Sequence, residues 1–179
     1  MAYCDECGIR CAISAPIPIC NEHGPRWRLV RNAPCAAAVI VREGLVLLSR
    51  RARQPWVGEW EVPGGFVERG EHPEEAAVRE VHEELGIHVE LTGLLGIYTV
   101  HHTETDWLQV TVYTATTTDA EPVPDPDEVS EWRWFRPDDI PLAMAADHRQ
   151  RIDDWMAGCA VPLPDAGSRR SIRPQEPDT

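Results

Sequence analysis

Residues 65–87, GFVERGEHPEEAAVREVHEELGI, constrain this chain more tightly than any other stretch. Pro73 suits the first turn of a helix, where its missing N–H costs nothing, and Gly86 suits the position just past the end. His72 is a poor N-cap residue, which leaves the start uncertain by a residue or two. Between those stops the chain turns about 100° per residue, which puts Ala77, Val78, Val81 and Leu85 on one arc. That narrow apolar stripe is able to sit on a sheet. Glu80, Glu83 and Glu84 stand at i, i+3 and i+4, so their carboxylates crowd beside the stripe. Each close pair of like charges costs about 0.2–0.5 kcal/mol on an exposed helix, and only Arg79 is at hand to offset it. Two readings stand on these residues alone. One is a solvated acidic face. The other is a site for a hard divalent cation, Mg²⁺ or Mn²⁺, which prefers oxygen ligands.

The wider pattern separates them. Gly65, Glu71, Arg79-Glu80-Val81, Glu83-Glu84 and Gly86-Ile87, at these intervals, resemble the signature of the Nudix hydrolases with every fixed position filled. The resemblance implies an α/β/α sandwich with a mixed sheet and hydrolysis of a nucleoside diphosphate linked to another group. It further implies that Glu80, Glu83, Glu84 and the Gly64 carbonyl hold Mg²⁺ or Mn²⁺, with Arg79 and Glu71 as the pair that orients the helix against the preceding loop. Glu80 is the candidate base inside the signature. Some family members use a glutamate on a later loop, where this chain has Glu128 and Glu131, with Glu104 behind them.

Residues 1–26 read differently. Cys4-x-x-Cys7-Gly and Cys20-x-x-His23-Gly form two knuckle-like pairs, each followed by a glycine that permits a tight turn. Four N/S ligands suit a tetrahedral structural Zn²⁺, able to hold a segment too short to build its own core. Cys11 is a substitute ligand, and a disulfide is the rival arrangement, disfavoured in a cytosolic chain. The segment looks like the zinc ribbon found ahead of some Nudix domains, with His in place of the last Cys. Cys35 and Cys159 read as incidental thiols.

Residues 27–34 suit a linker, residues 35–160 the hydrolase domain, and residues 161–179, rich in Pro, Arg, Asp and Ser, a flexible tail. Two apolar runs, 36–41 and 45–49, joined by Arg42-Glu43-Gly44, predict a hairpin. Arg50, Arg51 and Arg53 follow it; one reading is a solvated loop, and the other is that one of them, Arg50 and Arg51 first, meets a substrate phosphate, since a guanidinium matches phosphate geometry. Trp60 reads as a core residue. A long strand interrupted at Gly93 and Gly96, an alternating strand through Leu108, Val110 and Val112, a strand through Trp132 and Trp134, and a last helix over 143–156 complete the expected elements.

A net charge of −13 argues against a nucleic-acid footprint without excluding a phosphate-bearing small molecule. The absence of a membrane-length apolar run or a secretory leader predicts a cytoplasmic protein. Trp107, Trp132 and Trp134 are compatible with a homodimer, and a monomer is equally compatible. No Ser-Gln-Pro-Trp stretch of the NADH pyrophosphatase subgroup follows the signature. Residues 141–149, PLAMAADHR, do look like the Leu-Ala-Phe-Asp-His stretch of ADP-ribose-directed members, with an insertion and Met for Phe. That favours ADP-ribose or a related dinucleotide pyrophosphate. The alternatives are a mutagenic nucleoside triphosphate and a domain that senses a nucleotide without cleaving it.

Overall fold

The computed structural model describes residues 4, 6–12, 19–25, 32–101, 107–119 and 121–164. Two compact units are present, residues 1–32 and residues 33–179.

In the smaller unit, β1 (Ile19–Cys20) pairs antiparallel with β2 (Gly24–Pro25), and Ala12 bridges Ile19. Its buried centre consists of Cys4, Cys11 and Cys20 with Cys7 packed against them. Thiols occupy the place where a larger domain would put leucines.

The larger unit is a mixed sheet with one helix on each face. Its strands are β3 (Ala33–Arg42), β4 (Leu45–Arg51), β5 (Trp60–Glu61), β6 (Gly64–Phe66), β7 (Glu90–His101), β8 (Trp107–Thr116), β9 (Val129–Phe135) and β10 (Val161–Pro162). The main order is β10-β7-β8-β3-β4-β5, with β6 also paired to β3 and β9 to β4. Only β3 and β8 run parallel to their neighbour along this path, residue 33 lying opposite residue 108. Helix α1 (Pro73–Leu85) covers one face and α2 (His148–Met156) the other. Alternation along β3 divides the core accordingly. Ala38 and Ile40 pack with Val81 and Leu85 of α1, whereas Ala37 and Val39 pack with Ile152 of α2. This is the expected α/β/α sandwich.

The hairpin turns on Glu43 and Gly44, both in the left-handed region (φ 53° and 77°), as a two-residue type I′ turn requires. The interruptions foreseen at Gly93 and Gly96 are bulges in the β7–β8 pairing. Among the described residues, no helix is long and apolar enough to cross a membrane.

Several local expectations need correction. His72 does cap α1: its Nδ1 accepts the Glu74 N–H at 3.4 Å while Glu75 accepts the His72 N–H at 3.0 Å, completing a capping box. The buried stripe of α1 is Ala76, Ala77, Val81, Glu84 and Leu85, with Val78 only partly covered. The last helix starts at His148, five residues later than foreseen at 143. Met144 bridges Trp60, the Ala145 N–H donates to the Trp60 carbonyl at 2.8 Å, and Ala146 turns left-handed at φ 43°. Strand β3 begins at Ala33, inside the stretch read as linker. The foreseen tail also begins too early, because Val161 and Pro162 add an edge strand opposite Leu94 and Gly93, where a missing proline N–H is tolerated. The rest of the tail from residue 165 lies outside the described residues, as does Glu104.

Candidate active site

Three local features bring α1 against β6. Gly64 sits at φ 152°, and a Cβ there would collide with the Ala36 carbonyl and the Ala37 backbone of β3. At Gly65 a Cβ would collide with the Glu80 carboxylate. Two successive glycines therefore let the acidic edge of α1 lie directly on the strand. Gly86, left-handed at φ 65°, ends the helix with its N–H on the His82 carbonyl.

Arg79 organises one side of the acid cluster. Its Nε and Nη2 fork onto Glu71 at 2.8 and 3.0 Å, and Nη2 also reaches the Phe66 carbonyl at 2.9 Å. Nη1 donates to Glu80 at 2.9 Å and to Glu83 at 2.7 Å. Glu71 also accepts the Glu68 N–H at 2.9 Å. The Arg79 hydrogen bonds hold the Glu71 carboxyl below its ordinary range and push the Arg79 guanidinium further up.

Glu84 has no such partner. It is 5% exposed, and among the described residues its side chain accepts one hydrogen bond, from the Gly64 N–H at 3.1 Å. Burial pushes its carboxyl well above the usual range, and the charges of Glu61, Glu80 and Glu128 push the same way. Burial raises Glu80 as well. A buried carboxylate facing other acids, with no cation of the protein on it, is a donor set suited to a hard divalent ion.

Glu80, Glu83, Glu84, Gly64 and Arg79 all line a cavity of about 350 Å³. The structure brings Glu128 to the same cavity, where it pairs with Arg53 at 2.7 Å. Arg51 also lines it, paired with Glu61 at 2.6 Å. Arg50 is not among the lining residues: its Nε donates to the Gly58 carbonyl at 2.7 Å and its Nη1 reaches Glu131 at 3.2 Å. Trp60 packs edge-on to Phe135, ring centroids 4.9 Å apart, as a core residue.

Sequence reasoning missed several lining residues. Glu61 is 4% exposed, its carboxyl raised by burial, and the only signal for it was its place just ahead of the glycine pair. Trp56, adjacent to a cis Gln54–Pro55 bond, and Cys35 carried no spacing signal. His148 belonged to the stretch already singled out. Its Nδ1 accepts the Val62 N–H at 2.9 Å, tying α2 to the short link between β5 and the glycines. Arg151 follows it by three residues.

In the smaller unit, Cys4, Cys7, Cys20 and His23 offer ligand atoms all within 4.8 Å of one another. The Cys7 and Cys20 sulfurs are 3.8 Å apart, and His23 Nδ1 lies 3.6 Å from Cys4 Sγ and 3.7 Å from Cys20 Sγ. No disulfide joins any of the six cysteines. Backbone N–H groups of His23 and Glu22 draw the Cys20 thiol down to about 6, toward the thiolate a metal needs. Cys11 stays outside the set, its thiol turned to the Ile9 carbonyl at 3.9 Å.

Sandwich, glycine-backed acid cluster and open cavity together define a hydrolase of the pyrophosphatase class. The NUDIX domain model matches residues 31–156, and the chain belongs to the Nudix hydrolase family. An ADP-ribose pyrophosphatase of Methanocaldococcus jannaschii is 31% identical over 132 residues, covering 73% of this chain and 78% of that protein. The NAD-capped RNA hydrolase NudC of Salmonella heidelberg is 38% identical over 133 residues, 71% of this chain but only 49% of that longer protein. Among solved structures, a MutT NUDIX hydrolase from Burkholderia pseudomallei superposes with a TM-score of 0.64 at 33% identity, covering 69% of this chain and 98% of its own.

Proposed function

We propose that the chain cleaves the phosphoanhydride of a nucleoside diphosphate linked to another group, with ADP-ribose or a related dinucleotide pyrophosphate as its substrate. The observation that carries the reaction class is Glu84, a buried carboxylate without a protein cation beside Glu80 on a cavity of substrate size. Support for the substrate comes from the 141–149 stretch and from the archaeal relative named for ADP-ribose.

Glu80, Glu83, Glu84 and the Gly64 carbonyl would hold Mg²⁺ or Mn²⁺. When bound, such an ion neutralises the diphosphate and acidifies a water molecule. The chain's own residues do the rest. Arg79, locked onto Glu71, keeps Glu80 turned toward the cavity. Glu80 would take a proton from an attacking water, with Glu128, paired with Arg53 at the cavity, as the alternative base. Arg51, which lines the cavity, would supply positive charge toward substrate phosphates, whereas Arg50 is held outside it. In the smaller unit we assign structural Zn²⁺ to Cys4, Cys7, Cys20 and His23. A tetrahedral site with Zn–S of about 2.3 Å and Zn–N of about 2.0 Å has S–S edges of about 3.8 Å and S–N edges of about 3.5 Å, close to the three separations given above. The setting is cytoplasmic.

The test is a Mg²⁺-dependent screen of ADP-ribose, NADH, dinucleoside polyphosphates, nucleotide sugars and nucleoside triphosphates, reading AMP and phosphate release. Inertness on all of them removes the assignment. Exclusive turnover of triphosphates moves it to the house-cleaning class. Glu80→Gln and Glu128→Gln, each with metal retained, separate the two bases, and an unchanged rate in both rejects both.

A further inference from the structure

Among the described residues four arginines line the cavity, and three of them already hold a carboxylate. Arg51 is paired with Glu61, Arg53 with Glu128, and Arg79 with Glu71, Glu80 and Glu83. Arg151 is the exception. It is 2% exposed, yet among the described residues no carboxylate forms an ion pair with it. Its Nη1 is committed to His148, 3.0 Å from Nδ1 and 3.1 Å from Nε2. Near-equal distances put Nη1 over the face of the ring, since an in-plane position would collide with ring carbons. The in-plane lone pair of Nδ1 is in any case engaged by the Val62 N–H at 2.9 Å. Nε is buried without a hydrogen-bond partner, and Nη2 has none among the described residues. Nε and Nη2 are the two donors on one edge of a guanidinium. Arg79 shows what that edge does when it is filled: the same two atoms fork onto the two oxygens of Glu71 at 2.8 and 3.0 Å.

A buried cation with an empty donor edge is costly, and packing alone would place Leu or Met there. Burial draws the Arg151 pKa down only to about 10, so the side chain keeps its charge at neutral pH. An anion with two oxygens on one face would complete it, which is the chemistry of a carboxylate or a phosphoryl group. Glu61, which attracts Arg151 from farther off, is taken by Arg51 at 2.6 Å. The position in the cavity points to the reacting end. Cys35 of β3 stands opposite Phe66 of β6, next to the glycine pair. Burial pushes its thiol up to about 11, with Arg151 pulling it down and Glu80 pushing it further up, so both charges act on one side chain. We propose that the Nε–Nη2 edge of Arg151 grips a phosphoryl group of the substrate's diphosphate. This rests on the reading of the cavity given above and adds a phosphate contact from α2, outside the signature. Arg51, Arg53 and Arg79 reach the same cavity with their charge already answered by the protein, whereas that of Arg151 is left for the ligand. The contact is indifferent to the base. A charge-assisted contact of this kind is worth about tenfold to a hundredfold in affinity.

The probe is methylenediphosphonate, a diphosphate mimic with no base and no hydrolysable anhydride, added with Mg²⁺ to the full chain. By titration calorimetry Arg151→Met should bind it about tenfold to a hundredfold more weakly than the wild type does. In the wild-type chain labelled with ¹⁵N-arginine, the Nε–H resonance of Arg151, assigned through its own side-chain carbons, should move downfield as the probe saturates, because the orphan donor gains an acceptor. A resonance that stays in place, or no binding of the probe by the wild type, overturns the proposal without reference to how a variant folds. Unchanged affinity in Arg151→Met overturns it as well. Hydrolysis of any diphosphate in the screen above keeps the reaction class even when these results fail.

Discussion

Replacing Arg79 with Ala probes the arrangement most directly, because one side chain holds three carboxylates and a carbonyl. The guanidinium is 25% exposed, Glu71 13%, Glu80 14% and Glu83 57%. A hydrogen bond to a charged partner is worth about 1.5–3 kcal/mol, less where water screens it. Taking the fork on Glu71 as about 2 kcal/mol, the Glu80 contact as about 1 and the exposed Glu83 pair as about 0.3, the loss comes to about 3 kcal/mol. Arg79→Lys should lose about 2 kcal/mol, since an ammonium cannot make the fork. The sign with pH follows from Glu71, whose folded carboxyl is depressed. Its contribution is present above the unfolded carboxylate range and is lost as pH falls through the folded value. The gap between wild type and Arg79→Ala should therefore be full at neutral pH and shrink under acid. Urea unfolding in chelator, followed by tryptophan fluorescence at neutral and acid pH, measures both quantities. With metal, turnover should drop by about a hundredfold through the misplaced Glu80. A variant within about 0.5 kcal/mol of wild type at neutral pH, the scale of a surface change, would refute the reasoning, as would a gap that does not narrow under acid.

Gly64→Ala should destabilise by more than about 2 kcal/mol, because backbone of β3 stands where the Cβ must go. Gly65→Ala meets only a carboxylate that can swing away, so melting should barely change while activity falls. Glu84→Gln removes a buried charge that lacks a protein cation. In chelator it should melt no lower than wild type, whereas the stabilisation that Mg²⁺ gives the wild type should vanish. Cys20→Ser should reduce zinc released to a colorimetric chelator from about one ion per chain to none, and unchanged zinc would reject the four-ligand site.

How much of this was legible before any coordinates follows from what kind of signal each residue carries. Helix α1 announced itself because its stops, stripe and acids are all local, spaced by the helix's own period. The hairpin at Glu43-Gly44 and the two cysteine knuckles were legible for the same reason. Glu128 was visible only through family resemblance, since nothing local sets it apart from other loop acids. Glu61, His148 and Arg151 come together from β5 and α2, which are far apart in sequence, and no periodicity marks such a meeting. The late start of α2 was hidden likewise, because the Ala143–Ala145 region reads as good helix and only the bridge to Trp60 pulls it straight. The edge strand at Val161 failed on composition: a polar, proline-rich stretch can still lend two residues to an unpaired edge.

The acids clustered at β6 and α1 divide into two sets, and the division gives the cluster a direction. Glu71, Glu83 and one oxygen of Glu80 are spent on Arg79, so their charge is answered within the protein. Glu84 receives only a backbone N–H and faces Glu61, Glu80 and Glu128 across the cavity. If all the acids were a solvated face, the one with least protein charge on it should be the most exposed. The opposite holds: Glu83, which has a guanidinium, is 57% exposed on its side chain, while Glu84, which has none, is 5% exposed. Burial without a cation is tolerable when an ion from solution completes the site, which is the role proposed above for Mg²⁺ or Mn²⁺.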